Sequence, residues 1–578
     1  MGAILRVWHL DLKPLWMDEV ITAIFSLGKN YNDFPLDVVF PLERLQEMFS
    51  FQRGGSYFQI ANNVATQSTH PPLFFCGMYS WLSWVSPLGE EWVAKLRLPS
   101  ALFGVGCIVA IYYVNRIAFF PFAGLVAAAL MAVSPFAVYL SQEARHYTLP
   151  MLLITLGLLG LVQIQRDIEK RPRVRFVVWA GWAIVNTIGL YVHYFCALAF
   201  IAQIVTLLFL LYCRRGNILN QRKIWLAVIL YSSSVAISFL PWLAIVFYHF
   251  GRSETDWIEP PQHIAPLFQT LIGWILMVIA LPVENQPLPI VLISGLLMLA
   301  FSLWISWHIF KGLKQLLSTP STHLPTLVLL IFTACVLLEF FAIVYFLGKN
   351  ITTVPRYNFV YYPSWCALLA ASLSQKEKYE QKTRKKHFYV FLSSPLICLF
   401  VGLICSVFVV SNLVFQKPFE PEQVAKNMNQ DPSTSLMVVM AYRDYQDVAL
   451  GLSFALALEP LRSDTQSITG NGDKDSPSLS VVPLSSEGTR SSTSVSIPPF
   501  SNFAFFKQSP DFTSVWQKLS QLPAPTVPQL DLWVIGPGRK RKDYPPKLAF
   551  SSQMICAIDL QQHYRIGIPY QLYRCGYR

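Results

Sequence analysis

Charge is scarce in this sequence, and other features are missing with it. Only 13% of its 578 residues are Asp, Glu, Lys or Arg, against 53% apolar and a mean hydropathy of +0.42, a balance that excludes an ordinary soluble domain. The ten cysteines include no CxxC pair, no metal-ligand spacing and no repeated pattern, so no zinc module or cysteine-repeat scaffold is encoded. Most of them lie in apolar runs, where Cys serves as a small apolar side chain. A single basic patch is also lacking: the net charge of +12 and the pI near 9.1 are spread over separate short segments, and no nucleic-acid partner is expected.

What is present is a series of apolar runs of about 20 residues, each long enough to cross a bilayer as a helix whose backbone polar groups satisfy one another. Ten spans are read at roughly 98–118, 121–140, 148–165, 176–194, 196–213, 224–247, 289–310, 325–347, 358–374 and 388–412. Two interrupted runs, Pro71–Val85 and Ile264–Val283, are assigned to helices lying at the membrane surface. Lys and Arg concentrate in Arg166–Arg175, Cys213–Lys223, Lys311–Gln315 and Lys376–His387, which the positive-inside rule makes cytoplasmic. The loops Ser141–His146, Gly251–His263 and Gly348–Asn358 then face outward.

The expected fold is an all-α polytopic membrane domain over residues 1–415 with outward juxtamembrane helices, followed by a small extracytoplasmic α/β domain over 416–578. In the latter, EPEQVAKNMNQ and YQDVALGLSFALAL read as helices, and SLMVVMAY, LDLWVIG and YRIGIPYQLYRC as strands. A Ser/Thr/Gly/Pro-rich insert at about 462–499 has little to bury and is expected to be disordered. Cys556 and Cys575 share this domain, and a disulfide or two free thiols are both open readings.

Under this threading the outer face gathers Asp18 and Glu19 of LWMDEVITAIF, His70 of STHPPL, Arg97, the SQEARHY stretch with Glu143, Arg145 and His146, His193 of YVHYF, and Arg356 of VPRYNF. Ionisable residues at the membrane are costly and tend to serve function. A carboxylate can take a proton from an attacking hydroxyl, and a guanidinium grips a phosphate by two parallel bonds. Together they suit transfer of a group from a phosphorylated lipid. Plainer readings stand beside this one: a helix cap for Asp18 and Glu19, an exposed pair for Glu143 and Arg145, interfacial rings for His146 and His193, and a snorkelling side chain for Arg356.

The ordered series LWMDE, THPPL, RLPSALFG, SPFAVYLSQEARHYTL, GLYVHYF and PRY resembles the GT-C superfamily of integral-membrane glycosyltransferases. It is most similar to the branch of protein O-mannosyltransferases and the lipid A aminoarabinose transferase (glycosyltransferase family 39-like), over roughly Leu5–Leu373. The resemblance implies a sugar–phosphate–polyprenol donor, a lipid, glycan or protein acceptor, inversion at the sugar carbon, and a bacterial inner membrane. It makes Asp18 the base with Glu19 orienting Asp18 or the acceptor, gives the donor phosphate to Arg145 and Arg356, and puts His70 and Arg97 on the rim. No cofactor is required by it, although a divalent cation held by Asp18, Glu19 and nearby histidines stays open. Relatives carry a whole membrane helix before the acidic pair, whereas MGAILRVWHLDLKP is too brief to span, so the first family helix is expected to be missing. The rival function is a transporter or flippase of polyprenyl-linked substrates, for which internal repeats and mid-span polar residues would be expected.

Overall fold

The computed structural model describes residues 1–89, 91–170, 173–213, 221–252, 258–380, 394–469, 499–523, 525, 527–538, 540–551 and 553–577. They form two compact units: Met1–Lys13, Phe25–Lys29 and Phe51–Gln416 make the first, and Pro14–Ile24, Asn30–Ser50 and Lys417–Arg578 the second.

The first unit is helical. Among the described residues, Trp92–Ala118, Thr148–Lys170, Gln221–Phe250, Leu288–Ser318 and Pro320–Leu347 are each long and apolar enough to cross a membrane, and Pro121–Val133 and Pro135–Ser141 reach that length and apolarity together, as a broken span or a re-entrant loop bent by 58°. The bend has a local cause. Pro135 has no N–H to give and disfavours helix at the residue before it, while Ser134 Oγ accepts from the Ala137 N–H and restarts the helix as its N-cap. The runs read as spans at 176–194, 196–213 and 388–412 are helices of 17, 18 and 17 residues, Phe176–Val192, Cys196–Cys213 and Ser394–Val410. Among the described residues, five of the ten expected spans are single helices of crossing length and apolarity, the bent pair covers a sixth, and 358–374 is met by the turn Pro355–Val360 and the helix Tyr362–Glu380. Leu73–Val85 and Ala265–Val278, with 13 and 14 residues, are too short to cross. This is a multi-pass membrane protein.

Some basic loops are not loops. Lys311–Gln315 continues the helix Leu288–Ser318, because Lys, Leu and Gln all favour helix, and the chain turns only before Pro320, the first residue of the next helix. The segments 171–172, 214–220, 253–257 and 381–393 of the other expected loops lie outside the described residues.

Helices approach closely where side chains are small. A Cβ on Gly312 would collide with the Ser372 carbonyl oxygen, so Leu288–Ser318 and Tyr362–Glu380 meet backbone to backbone there. Polar side chains tie other helices. Gln203 accepts from the Trp182 indole at 2.6 Å and donates to Asn186 at 3.0 Å, and Asn115 donates to the Ala367 carbonyl at 2.9 Å.

The second unit is built on one seven-stranded sheet of β1 (Val39–Pro41), β2 (Ser435–Tyr442), β3 (Ser501–Lys507), β4 (Gln529–Ile535), β5 (Lys547–Phe550), β6 (Met554–Ile566) and β7 (Ile568–Tyr577), in the order β1-β3-β2-β4-β7-β6-β5. Central β2 runs parallel to both neighbours and is buried throughout, which explains its unbroken apolar sequence. Helices Pro421–Met428, Tyr445–Thr469 and Thr513–Ser520 complete the α/β unit. YRIGIPYQLYRC, read as one strand, instead turns at Gly567, whose φ of +70° favours glycine, and joins β6 to β7. The helix Tyr445–Thr469 runs on past Arg462, where the disordered insert was expected to begin; residues 470–498 lie outside the described set. Cys556 and Cys575 face each other across β6 and β7 and are joined as a disulfide.

Closing this link removes freedom from the unfolded chain, an effect of about 2–4 kcal/mol for a loop of this size. Cys575→Ser should lower the midpoint of thermal unfolding measured on the second unit's tryptophans, and added reductant should have no further effect on that variant. An unchanged midpoint would contradict the assignment.

Candidate active site

The first unit brings five of the expected residues together at breaks between helices. His70 lies between Tyr57–Gln67 and Leu73–Val85. Arg145 and His146 lie between Pro135–Ser141 and Thr148–Lys170. His193 ends Phe176–Val192, and Arg356 sits in the 3-10 turn Pro355–Val360. The His146 ring centroid is 4.7 Å from those of both His70 and His193. The Arg145 and Arg356 guanidinium carbons lie 5.6 and 5.9 Å from the ring centroid of Tyr147, and Arg356 Nε donates to Tyr147 Oη at 3.0 Å.

Hydrogen bonds fix the ring protons. Arg145 Nη2 is 3.5 Å from His70 Nε2. Since a guanidinium can only donate, that nitrogen accepts and the proton sits on Nδ1, which reaches Ser68 Oγ at 3.1 Å. His193 Nδ1 accepts from the Phe195 N–H at 3.0 Å, leaving its proton on Nε2. Among the described residues neither ring nitrogen of His146 has a hydrogen-bond partner.

All three imidazoles lie outside the membrane helices and titrate well below the usual range. Burial is the main cause and the Arg145 charge the second; His193 is pushed down to about 3. The positive charge of the cluster is thus carried by the two arginines. No trio of His, Cys, Asp or Glu among the described residues is disposed to hold a metal ion.

The loop bearing His70 has its own support. Trp242 Nε1 donates to Tyr194 Oη at 3.0 Å, Tyr194 Oη donates to His249 Nδ1 at 2.8 Å, and His249 Nε2 donates to the Ala65 carbonyl at 2.8 Å. Arg252 donates to the carbonyls of Thr66 and Ser68. These bonds take up carbonyls at the end of Tyr57–Gln67, which the helix itself cannot satisfy. Tyr147, Tyr194, His249 and Arg252 were not singled out from the sequence; the only signal was their position beside SQEARH, YVH and the end of an apolar run.

Arg97 is buried and gives Nη1 to the carbonyls of Leu10 and Lys13 at 2.7 and 2.8 Å, holding the N-terminal segment. Glu143 is buried in the same turn as Arg145, whose N–H donates to its carbonyl at 2.7 Å. Asp18 and Glu19 belong to the second unit, in the first turn of the helix Met17–Ser26.

Comparison with known proteins bears on this arrangement. Residues 70–243 match the family described as "Dolichyl-phosphate-mannose-protein mannosyltransferase". No curated protein matches the sequence. Apo ArnT from Cupriavidus metallidurans superposes with a TM-score of 0.50 at 11% identity, covering 99% of this chain and 96% of ArnT. The chain shares the ArnT fold. ArnT bound to undecaprenyl phosphate gives 0.49 at 11% identity with the same coverage. The Archaeoglobus fulgidus oligosaccharyltransferase AglB, in complex with an inhibitory peptide and a dolichol-phosphate, gives 0.41 at 13% identity, covering 68% of this chain. The chain spans 56% of AglB's length. The GT-C resemblance read from the sequence is met again in a family match that contains RLPSALFG, SPFAVYLSQEARHYTL and GLYVHYF and begins within THPPL, beside the ArnT-like fold.

The neutral imidazoles make stability depend on pH. The folded chain holds His193 neutral down to about 3, while an unfolded one takes up a proton near 6.5. Unfolding thus absorbs protons below that value, so the contribution is complete above it and is lost as pH falls. Thermal midpoints of the protein in nanodiscs should fall from pH 7.5 to 5, the stability lost below about 6.5 approaching about 1.4 kcal/mol per pH unit for each such histidine, and His193→Phe should flatten part of the slope. A flat profile in the parent protein would contradict neutral burial.

Proposed function

We propose that this chain is a membrane glycosyltransferase that moves a sugar from a sugar–phosphate–polyprenol to an acceptor hydroxyl at the outer membrane face, with inversion. The observation that carries the reading is the pair of guanidiniums, Arg145 and Arg356, gathered around Tyr147 where apolar helices break. Such a pair can bind a lipid-borne phosphate by directed, charge-assisted bonds. The family description over residues 70–243 names a dolichyl-phosphate-linked sugar, which supports a donor of that class.

In this reading the acceptor oxygen attacks the sugar carbon on the face opposite the phosphate and gives its proton to the Asp18 carboxylate. The bond from carbon to phosphate oxygen breaks, and its electron pair leaves on that oxygen beside Arg145 and Arg356. Asp18 receives its role from the family resemblance of LWMDE. The Cys556–Cys575 disulfide supports an oxidising, extracytoplasmic location for the second unit, in keeping with a bacterial inner membrane. The acceptor class and the sugar would be read by mass spectrometry of surface glycans, glycolipids and glycoproteins made with and without the protein.

Two outcomes test the roles. With purified protein, Asp18→Asn should retain binding of a polyprenyl-phosphate donor while turnover falls by about two to four orders of magnitude; near-normal turnover would remove Asp18 as base. Arg145→Ala and Arg356→Ala should each weaken binding of polyprenyl phosphate, with Lys restoring it only in part because an ammonium lacks the planar two-point contact. Unchanged lipid affinity in both variants would mean that the phosphate binds elsewhere.

A further inference from the structure

Within the second unit, the two carboxylates of the acidic pair are not equivalent. Glu19 Oε2 lies 3.8 Å from the Lys417 ammonium, with side-chain exposures of 0% and 4%. That ammonium is also 5.7 Å from the ring centroid of Trp16, which is itself buried. The Glu19 and Val20 N–H groups donate to the Trp16 carbonyl at 2.9 and 3.0 Å, starting the helix Met17–Ser26. Trp16, Glu19 and Lys417 thus enclose the first turn, and Asp18 sits between two of them in sequence. Asp18 keeps 7% exposure where Glu19 keeps none.

We propose that Lys417 is a positioning residue for Asp18: it holds Glu19 as a buried counter-ion and packs over Trp16, so that Glu19 is spent on fixing the turn and Asp18 alone acts as base. The inference rests on the reading of Asp18 as the base. A carboxylate cut off from water is kept as an ion only by a partner charge, and a carboxylate engaged in this way is poorly placed to exchange protons with an acceptor. The ammonium over the indole face adds a cation–π contact, which fixes the side-chain direction as well as its charge. Lys417 is the residue at which the chain re-enters the second unit after the apolar helix Ser394–Val410, so the tie joins two segments distant in sequence inside one unit.

The test uses the full chain in nanodiscs with a polyprenyl-phosphate sugar donor. Lys417→Met should lower kcat about ten- to a hundred-fold, the scale of a small misplacement of a reacting group, with the donor KM within about twofold. Lys417→Arg should keep most of the activity, since the charge is restored. Glu19→Gln should retain far more turnover than Asp18→Asn. The pair Glu19→Gln/Lys417→Met, which leaves neither charge buried alone, should be more active and more heat-stable than Lys417→Met by itself. If Lys417→Met does not fold, the double variant and Lys417→Arg carry the comparison.

An unchanged kcat in Lys417→Met, a raised donor KM with kcat intact, no coupling in the double variant, or equal damage from Glu19→Gln and Asp18→Asn would each overturn the proposal. Failure of the base assignment would show separately, as retained turnover in Asp18→Asn.

Discussion

A cation removed from water among apolar helices costs several kcal/mol unless oxygen atoms or a counter-charge surround it, and much of this chain is arranged to meet that demand. Arg6 is fully buried and gives its guanidinium to the carbonyls of Gly2, Met131 and Ala132. Lys13 reaches the Val409 carbonyl at 2.6 Å, and Arg97 holds the carbonyls of Leu10 and Lys13. Except for that of Gly2, these carbonyls belong to helix C-terminal ends and turns, where acceptors are left over. The same bonds therefore satisfy the cation and secure the N-terminal segment. Arg252 does likewise for the helix Tyr57–Gln67 and, through it, for His70, and His249 adds a donor to the Ala65 carbonyl.

Arg145 and Arg356 are set among rings, with an imidazole nitrogen and a phenol within reach, groups that orient a guanidinium. The neighbouring histidines can serve as partners because burial keeps them uncharged; a protonated imidazole would repel both arginines. The cluster thus separates two tasks. Arginine, which does not lose its proton, supplies a charge that does not vary with pH, and neutral histidine supplies shape and directed acceptors.

How much of this could be read beforehand depends on how conspicuous each residue is in an apolar sequence. His70, Arg145, His146, His193 and Arg356 stand out because ionisable residues are few, and their shared location follows from counting spans and loop charges. Tyr147 and Tyr194 do not stand out, since Tyr near a span end is the ordinary aromatic belt. The roles of His249 and Arg252 depend on which helix end meets which loop, and no spacing reports that. Arg97 is as conspicuous, and its bonds to the Leu10 and Lys13 carbonyls depend on where the N-terminal segment lies, which no spacing reports. In the second unit, SLMVVMAY is legible as a central strand because it is apolar on both faces, whereas β1 is three residues ending in Pro41, an edge position that carries almost no pattern. The contact of Glu19 with Lys417 spans nearly the whole membrane unit in sequence and leaves no local trace.

The fixed charge also bears on the direction of the proposed chemistry. A sugar–phosphate–polyprenol is a phosphodiester with one negative charge, and the polyprenyl phosphate that leaves is a monoester approaching two near neutral pH. Two guanidiniums that do not titrate are matched to the second state better than to the first. Binding that strengthens as the reaction proceeds is what lowers a barrier, whereas equal binding of both states only holds the substrate. In the proposed transfer the charge growing on the leaving oxygen is what Arg145 and Arg356 would stabilise, so that no acid would need to protonate that oxygen. Protonated histidines beside these arginines would have to deprotonate or repel them as the substrate came and went. Keeping the rings neutral avoids that cost, and the only proton the transfer must relocate is the one on the acceptor hydroxyl.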